Sequence, residues 1–223
     1  MFFFIILIIC TYMGLTSYKK LTKEYKLLTQ LFGITLLSEY LSYYHFIEIS
    51  IRFFSLPEAT NFPFYHILQV VQIAFVGHIY FLLFKIIGFY SKLYLTISYA
   101  LTAITLIISF TIQPFSLFPS YGAMIQSLFF VFSALLLFYK LIQVPSETPI
   151  LKQAAFWFNS GNLFFYATTF ILFGFYQDFQ NSNLTIPSWG FSIIAGANFI
   201  LYPCYLISIL LNARENKNGR YPH

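Results

Sequence analysis

Charge is the scarcest property of this chain: Asp, Glu, Lys and Arg together make up only 9% of its 223 residues. Soluble domains carry nearer a quarter, so a water-soluble fold is excluded. Cysteine occurs twice. Cys10 and Cys204 both fall within apolar segments, which excludes a disulfide scaffold and reads as packed small hydrophobes. No glycine run forms a phosphate loop or a nucleotide fingerprint, and no Ser-His-Asp arrangement is present, so no catalytic residues are expected. The last apolar segment has no lysine to form a Schiff base, so its helix count does not make it a retinal protein. A b-type haem needs two facing histidines, and only His45 and His66 match in depth. A zinc site would need Glu39 or Glu48 as a third ligand, in a spacing that matches no zinc motif. No cofactor and no metal are expected. The net charge of +5 sits at the ends of apolar segments rather than in a basic patch, so it does not point to nucleic acid.

What is abundant is apolar. Hydrophobic residues make up 59% of the chain, with 30 Phe and 18 Tyr. They fall into seven segments of roughly 17–25 residues, the length that crosses about 30 Å of hydrocarbon. These are approximately Phe2–Ser17, Leu27–Ile49, Phe64–Phe84, Leu93–Ile112, Ala123–Val144, Ala154–Tyr176 and Trp189–Ala213. Pro57, Pro63, Pro114, Pro119, Gly122, Pro145, Pro149 and Pro187 mark the connections. The expected fold is all-α: a polytopic membrane protein with seven transmembrane helices. It forms one domain over residues 1–213, followed by a short basic cytoplasmic tail at 214–223.

Basic residues set the expected orientation, because Lys and Arg concentrate on the cytoplasmic side. With seven crossings, Lys19, Lys20, Lys23, Lys26, Lys85, Lys92, Lys140, Lys152, Arg214, Lys217 and Arg220 share one side and Arg52 alone takes the other. The amino terminus is therefore expected outside and the carboxyl terminus in the cytoplasm. The first segment has no basic residue before it and no small-x-small cleavage pattern after it, which reads as an uncleaved helix. Asn183-Leu184-Thr185 matches a glycosylation acceptor on the outer side.

The few polar groups inside the spans are where recognition must sit, because an ionisable residue in hydrocarbon has to face protein or water. Glu39 lies about 18 Å into its span at 1.5 Å per residue. His45 ends that span on the outer side and His66 begins the next at similar depth. His66, Gln69 and Gln72 form one stripe, each about 60° from the last, and Asn198 lies at mid-depth on the seventh helix. Glu39, His45, His66, Gln69, Gln72 and Asn198 are therefore expected to line a ligand-binding chamber open to the outer side. On the sixth helix, Asn159, Asn162 and Thr169 read instead as interhelical glue.

The run Trp157-Phe158-Asn159-Ser160-Gly161-Asn162-Leu163-Phe164-Phe165-Tyr166, with Trp189 opening the last helix and Asn198 inside it, resembles the small seven-helix inner-membrane proteins of Bacteroidota. Many of those are encoded beside sensor histidine kinases. The resemblance implies a bacterial inner (cytoplasmic) membrane location and a sensory or accessory role. The tail of about ten residues, Arg214–His223, implies that a sensor of this form signals through a separate membrane or cytoplasmic partner such as a sensor kinase. A small-solute transporter built as three helices, a linker helix and three more is the alternative, since both triplets would share orientation.

Overall fold

A computed structural model describes residues 2–44, 60–89, 92–143, 148–181 and 188–217. His45, Glu48, Arg52, Asn183 and Arg220 lie outside the described residues. Within them the chain is all helix, in seven α-helices: α1 (Phe2–Ser17), α2 (Lys23–Tyr44), α3 (Phe62–Ile86), α4 (Lys92–Thr111), α5 (Ser120–Gln143), α6 (Ala154–Asn181) and α7 (Ser188–Lys217). Short 3-10 turns at Tyr18–Lys20 and Ile150–Lys152 precede α2 and α6. The last helix runs four residues past Ala213, so the expected division between bundle and tail falls inside α7.

Among the described residues, four helical stretches are by themselves long and apolar enough to cross a membrane: α3, α4, α5 and Ser192–Asn216 of α7. The other three expected spans do not meet that standard, for identifiable reasons. The 16 residues of α1 fall short of the ~20 that a crossing needs. Helix α2 opens with Lys23, Glu24 and Lys26 and carries Thr29, Gln30, Thr35 and Glu39. Helix α6 interrupts its apolar run with Asn159, Ser160, Asn162 and Thr169, and its last five residues, Gln177 to Asn181, include four polar ones.

The helices that do qualify show which way the molecule is turned. Along α4 the buried residues are Tyr94, Ser98, Thr105 and Ser109. The exposed ones include Leu93, Ile97, Ile104, Leu106, Ile107 and Phe110. A soluble helix buries its apolar stripe, whereas α4 buries Ser98, Thr105 and Ser109 and presents most of its aliphatics, the arrangement of a helix surrounded by lipid. On α5 the same division sets Ser120, Gln126, Ser127 and Ser133 inside against Leu128, Phe132 and Leu135 outside. The protein is a membrane protein by this pattern as well as by hydropathy.

The packing is a ring, α1–α2–α3–α5–α6–α7, closed by α7 against α1, with α4 outside it against α3 and α5. Its centre is aromatic. Tyr80 stacks on Phe130 and meets Phe158 edge-on at 5.3 Å, Phe158 stacks on Tyr205, and Phe32 reaches Tyr205 at 5.7 Å and Tyr202 at 6.4 Å. Ring pairs at these separations add about 0.5–1.5 kcal/mol each beyond burial. Gly161 permits the α6–α7 approach, since a Cβ there would stand 2.9 Å from the Cβ of Cys204.

Hydrogen bonds fasten one end of the ring. The Thr22 amide donates to Asn212 Oδ1 at 3.1 Å, the Asn216 amide group donates to the Lys20 carbonyl at 2.9 Å, and the Ala154 amide donates to Glu215 Oε1 at 3.3 Å. Lys140 Nζ lies 5.2 Å over the Phe89 ring. These contacts gather the ends of α1, α3, α5 and α7 with the starts of α2, α4 and α6. The clustered basic residues Lys19, Lys20, Lys23, Lys26, Lys85, Lys92, Lys140, Lys152 and Arg214 share that end.

Candidate ligand chamber

Glu39 continues the stripe begun by Tyr25 and Phe32 at seven-residue intervals, a spacing that returns a helical side chain to nearly the same face. That face looks at the ring centre, because Phe32 meets Tyr202 and Tyr205 of α7. Glu39 is half-buried, and its electrostatic neighbours are Tyr65 of α3 and Tyr202 of α7. Tyr65 is hydrogen-bonded with Ser42, one turn along α2 from Glu39. Tyr202 also faces Tyr166 and Cys10, and the Cys10 thiol donates to the Tyr202 carbonyl at 3.4 Å.

A second polar strand enters from the far wall. Gln126 Nε2 of α5 donates to Gln72 Oε1 of α3 at 3.1 Å and to the Tyr166 hydroxyl of α6 at 3.2 Å. Tyr65 and Gln72 are again seven residues apart and share the inward face of α3. Counted at 1.5 Å per residue from the Thr22–Asn212 tie, Glu39 stands ~26 Å along α2, and Tyr202 ~15 Å and Asn198 ~21 Å along α7. Tyr202 is therefore level with Phe32, which it meets, and Glu39 lies further from the basic end.

The expected chamber residues divide at this point. Glu39 and Gln72 stand at the centre of the ring. Asn198 is half-buried one turn above Tyr202 on α7. His66 and Gln69 turn to the other side of α3. His66 is buried with Nδ1 3.0 Å from Ser109 Oγ of α4 and Nε2 3.0 Å from the Leu117 carbonyl, and its ring lies 4.8 Å from Phe115. A carbonyl can only accept, so Nε2 carries the hydrogen and Nδ1 accepts from the serine. Both ring nitrogens are thereby engaged in fixing the α4–α5 turn. Gln69 is buried against Thr105 of α4 and Gly122 of α5. His45 lies outside the described residues. The 60° steps along the stripe carry His66, Gln69 and Gln72 progressively around α3, from α4 to the centre.

Three residues of the site carried no distinguishing mark in the sequence. Tyr65 and Tyr202 are two of 18 tyrosines, and Gln126 is one amide on an apolar helix. The seven-residue spacing of Tyr65 from Gln72 is the signal that could have found the first.

Aromatic side chains pack on both sides of these polar groups along the bundle axis. On the side away from the basic end, Phe118 of the α4–α5 turn lies 6.3 Å from Tyr65, 5.3 Å from Phe173 and 4.5 Å from Tyr176. Gln113 braces that turn, donating to the Phe118 carbonyl at 2.5 Å and to Ser120 Oγ at 3.0 Å. Below lie Phe32, Tyr80, Phe130, Phe158 and Tyr205. Asn159 and Asn162 serve that floor as interhelical ties: Tyr80 donates to Asn159 Oδ1 at 3.0 Å, Asn159 Nδ2 to the Ala134 carbonyl at 2.9 Å, and Tyr205 to Asn162 Oδ1 at 2.7 Å. Thr169 bonds within its own helix, to the Phe165 carbonyl.

Among the described residues no group of three His, Cys, Asp or Glu is placed to hold a metal ion. No protein-family model, curated protein or solved structure matches the chain.

Proposed function

We propose that this protein is a non-enzymatic membrane receptor or accessory subunit. It binds a small ligand in the Glu39 chamber and signals through a separate partner, for which a sensor kinase is the expected type. In this reading all seven helices cross a bacterial inner membrane, the amino terminus outside and the basic end in the cytoplasm. Helices α2 and α6, too polar to span unaided, cross because groups such as Asn159 and Asn162 are bonded inside the ring, and the short α1 crosses packed between α2 and α7. The observation that carries the proposal is a lone carboxyl, Glu39, on the ring-facing stripe of α2 that Phe32 shares, inside a bundle whose outer surface is aliphatic. A carboxyl group at that depth is costly to maintain, which gives it a role beyond packing. The filled aromatic floor favours binding over conduction.

One feature favours the transporter of three, one and three helices. Helix α4 stands outside the ring, where a linker between two triplets would be.

The two readings separate by experiment. Reporters fused before Met1 and after His223 are expected on opposite sides of the membrane, and finding both on one side sinks the seven-crossing arrangement. Co-purification of a kinase or other signalling protein with the intact chain supports the receptor. Solute flux into proteoliposomes, lost in Glu39→Gln, would replace it with the transporter.

A further inference from the structure

His78 breaks the aliphatic outer surface of the bundle. Ile67, Val71, Ala74, His78 and Leu82 of α3 are half-buried or exposed and recur every three or four residues, which makes them one outward stripe. His78 stands eight residues, ~12 Å, before the end of α3, inside the hydrocarbon of a membrane that α3 crosses. Ionisable side chains at such depth normally turn to the bundle interior. This one turns to Tyr99 of α4, which is itself exposed: Nδ1 lies 2.8 Å from the Tyr99 hydroxyl.

That bond leaves hydrogen-bonding capacity over. Among the described residues, Nε2 of His78 has no hydrogen-bond partner. If the Tyr99 hydroxyl donates to Nδ1, Nε2 keeps a hydrogen to donate and the phenol oxygen keeps a lone pair to accept. With the other tautomer Nδ1 donates, Nε2 accepts and the hydroxyl hydrogen is left over. Either way one donor and one acceptor stand side by side at one depth, toward lipid chains that offer neither.

Such a pair is complementary to itself. Two copies inserted in the same direction and related by a two-fold axis along the membrane normal bring equal depths together. His78 of each copy can then bond Tyr99 of the other. Ala74 lies one turn from His78 and Ala103 one turn from Tyr99, both on the side away from the basic end, one half-buried and one exposed. Small residues at those positions let a second backbone come close.

We propose that the outer face of α3 and α4 is a dimer interface with a second copy of this chain, closed by two reciprocal His78–Tyr99 hydrogen bonds and approached most closely at Ala74 and Ala103. A second copy fits this face better than a lipid, whose hydrogen-bonding groups sit at headgroup level. The inference does not depend on the chamber, which lies inside the ring.

The test is energy transfer between full-length chains carrying a donor or an acceptor fluorescent protein after His223, reconstituted in liposomes and diluted with lipid. The expected result is transfer that falls on dilution. His78→Leu should raise the dissociation constant about 10–100-fold, because it removes both symmetric bonds. Tyr99→Phe removes the same two bonds, so it should act by a similar factor, and the double variant should stay within about threefold of either. Ala103→Leu, at a lipid-exposed position, should raise it at least ~10-fold with Tm unchanged. Ala74→Cys and Ala103→Cys should each crosslink two copies on oxidation, and Leu135→Cys on the exposed face of α5 should not. If His78→Leu fails to fold, Ala103→Leu and the cysteine variants carry the same decision. Absence of transfer in the wild type at every dilution overturns the proposal. So does an equal dissociation constant in wild type, His78→Leu and Ala103→Leu, or crosslinking at position 135 in place of 74 and 103.

Discussion

The floor of the chamber makes a quantitative claim that a double-mutant cycle can decide. Asn159 is completely buried and holds three helices together, accepting from Tyr80 at 3.0 Å and donating to the Ala134 carbonyl at 2.9 Å. Interhelical hydrogen bonds within membranes average about 0.6 kcal/mol and reach about 1.7. Asn159→Leu keeps four side-chain heavy atoms in a similar branched outline and removes both bonds, so it should destabilise by about 1–3 kcal/mol. Tyr80→Phe keeps the ring contacts with Phe130 and Phe158 and removes only the hydroxyl, so it should destabilise by about 0.6–1.7 kcal/mol. Each single variant already loses the shared bond, so the double variant should fall short of the sum by about 0.5–1.5 kcal/mol. Unfolding by sodium dodecyl sulfate in mixed micelles, followed by tryptophan fluorescence, measures all four corners. A coupling energy within about 0.3 kcal/mol of zero would refute the bond and the packing inferred from it.

Two further predictions concern helix approach and charge. A Cβ at Gly122 would lie 2.8 Å from Thr105 Cγ2 and 3.1 Å from Gln69 Cδ, whereas one at Gly33 meets nothing within 4 Å. Gly122→Ala should therefore destabilise by about 1–3 kcal/mol, and Gly33→Ala should be neutral or stabilise by up to about 1 kcal/mol; equal behaviour of the two in the same unfolding assay would contradict the α3–α4–α5 contact. Glu24, in the first turn of α2 ahead of the apolar run, is buried, and desolvation pushes its carboxyl above the usual range despite a hydrogen bond from Thr22. The unfolded carboxyl ionises at about pH 4.3 while the folded one still holds its proton, so stability should fall as pH rises from there through the raised value. Glu24→Gln should flatten that slope in a pH series of melting curves, and an unchanged slope would assign it elsewhere.

Helix placement was largely legible because lipid imposes one length on every crossing. Phe2–Ser17 coincides with α1, and α4 and α5 begin or end within a few residues of their expected limits. Glu39 was legible as well, since a lone carboxyl in an apolar run can hardly be there for packing. The partners were not. A helical stripe gives angles about one axis, but which neighbour stands at each angle depends on the whole ring. His66 shows this: sequence depth paired it with His45, yet it faces α4, a helix beginning 26 residues later. Tyr65 escaped notice because in a tyrosine-rich chain the residue type carries almost no information.

The closure of α1 on α7 has a consequence in time. Its ties join residues about 190 positions apart: Thr22 to Asn212, Cys10 to Tyr202 and Lys20 to Asn216. Chains grow at roughly 5–20 residues per second, so the inward face of α1 waits about 10–40 s for its partner to be synthesised. Throughout that interval Cys10 and the basic turn at Tyr18–Lys20 border an open seam toward lipid or the insertion machinery. Residues along that seam should therefore govern how much protein reaches the membrane intact more than how stable it is once there.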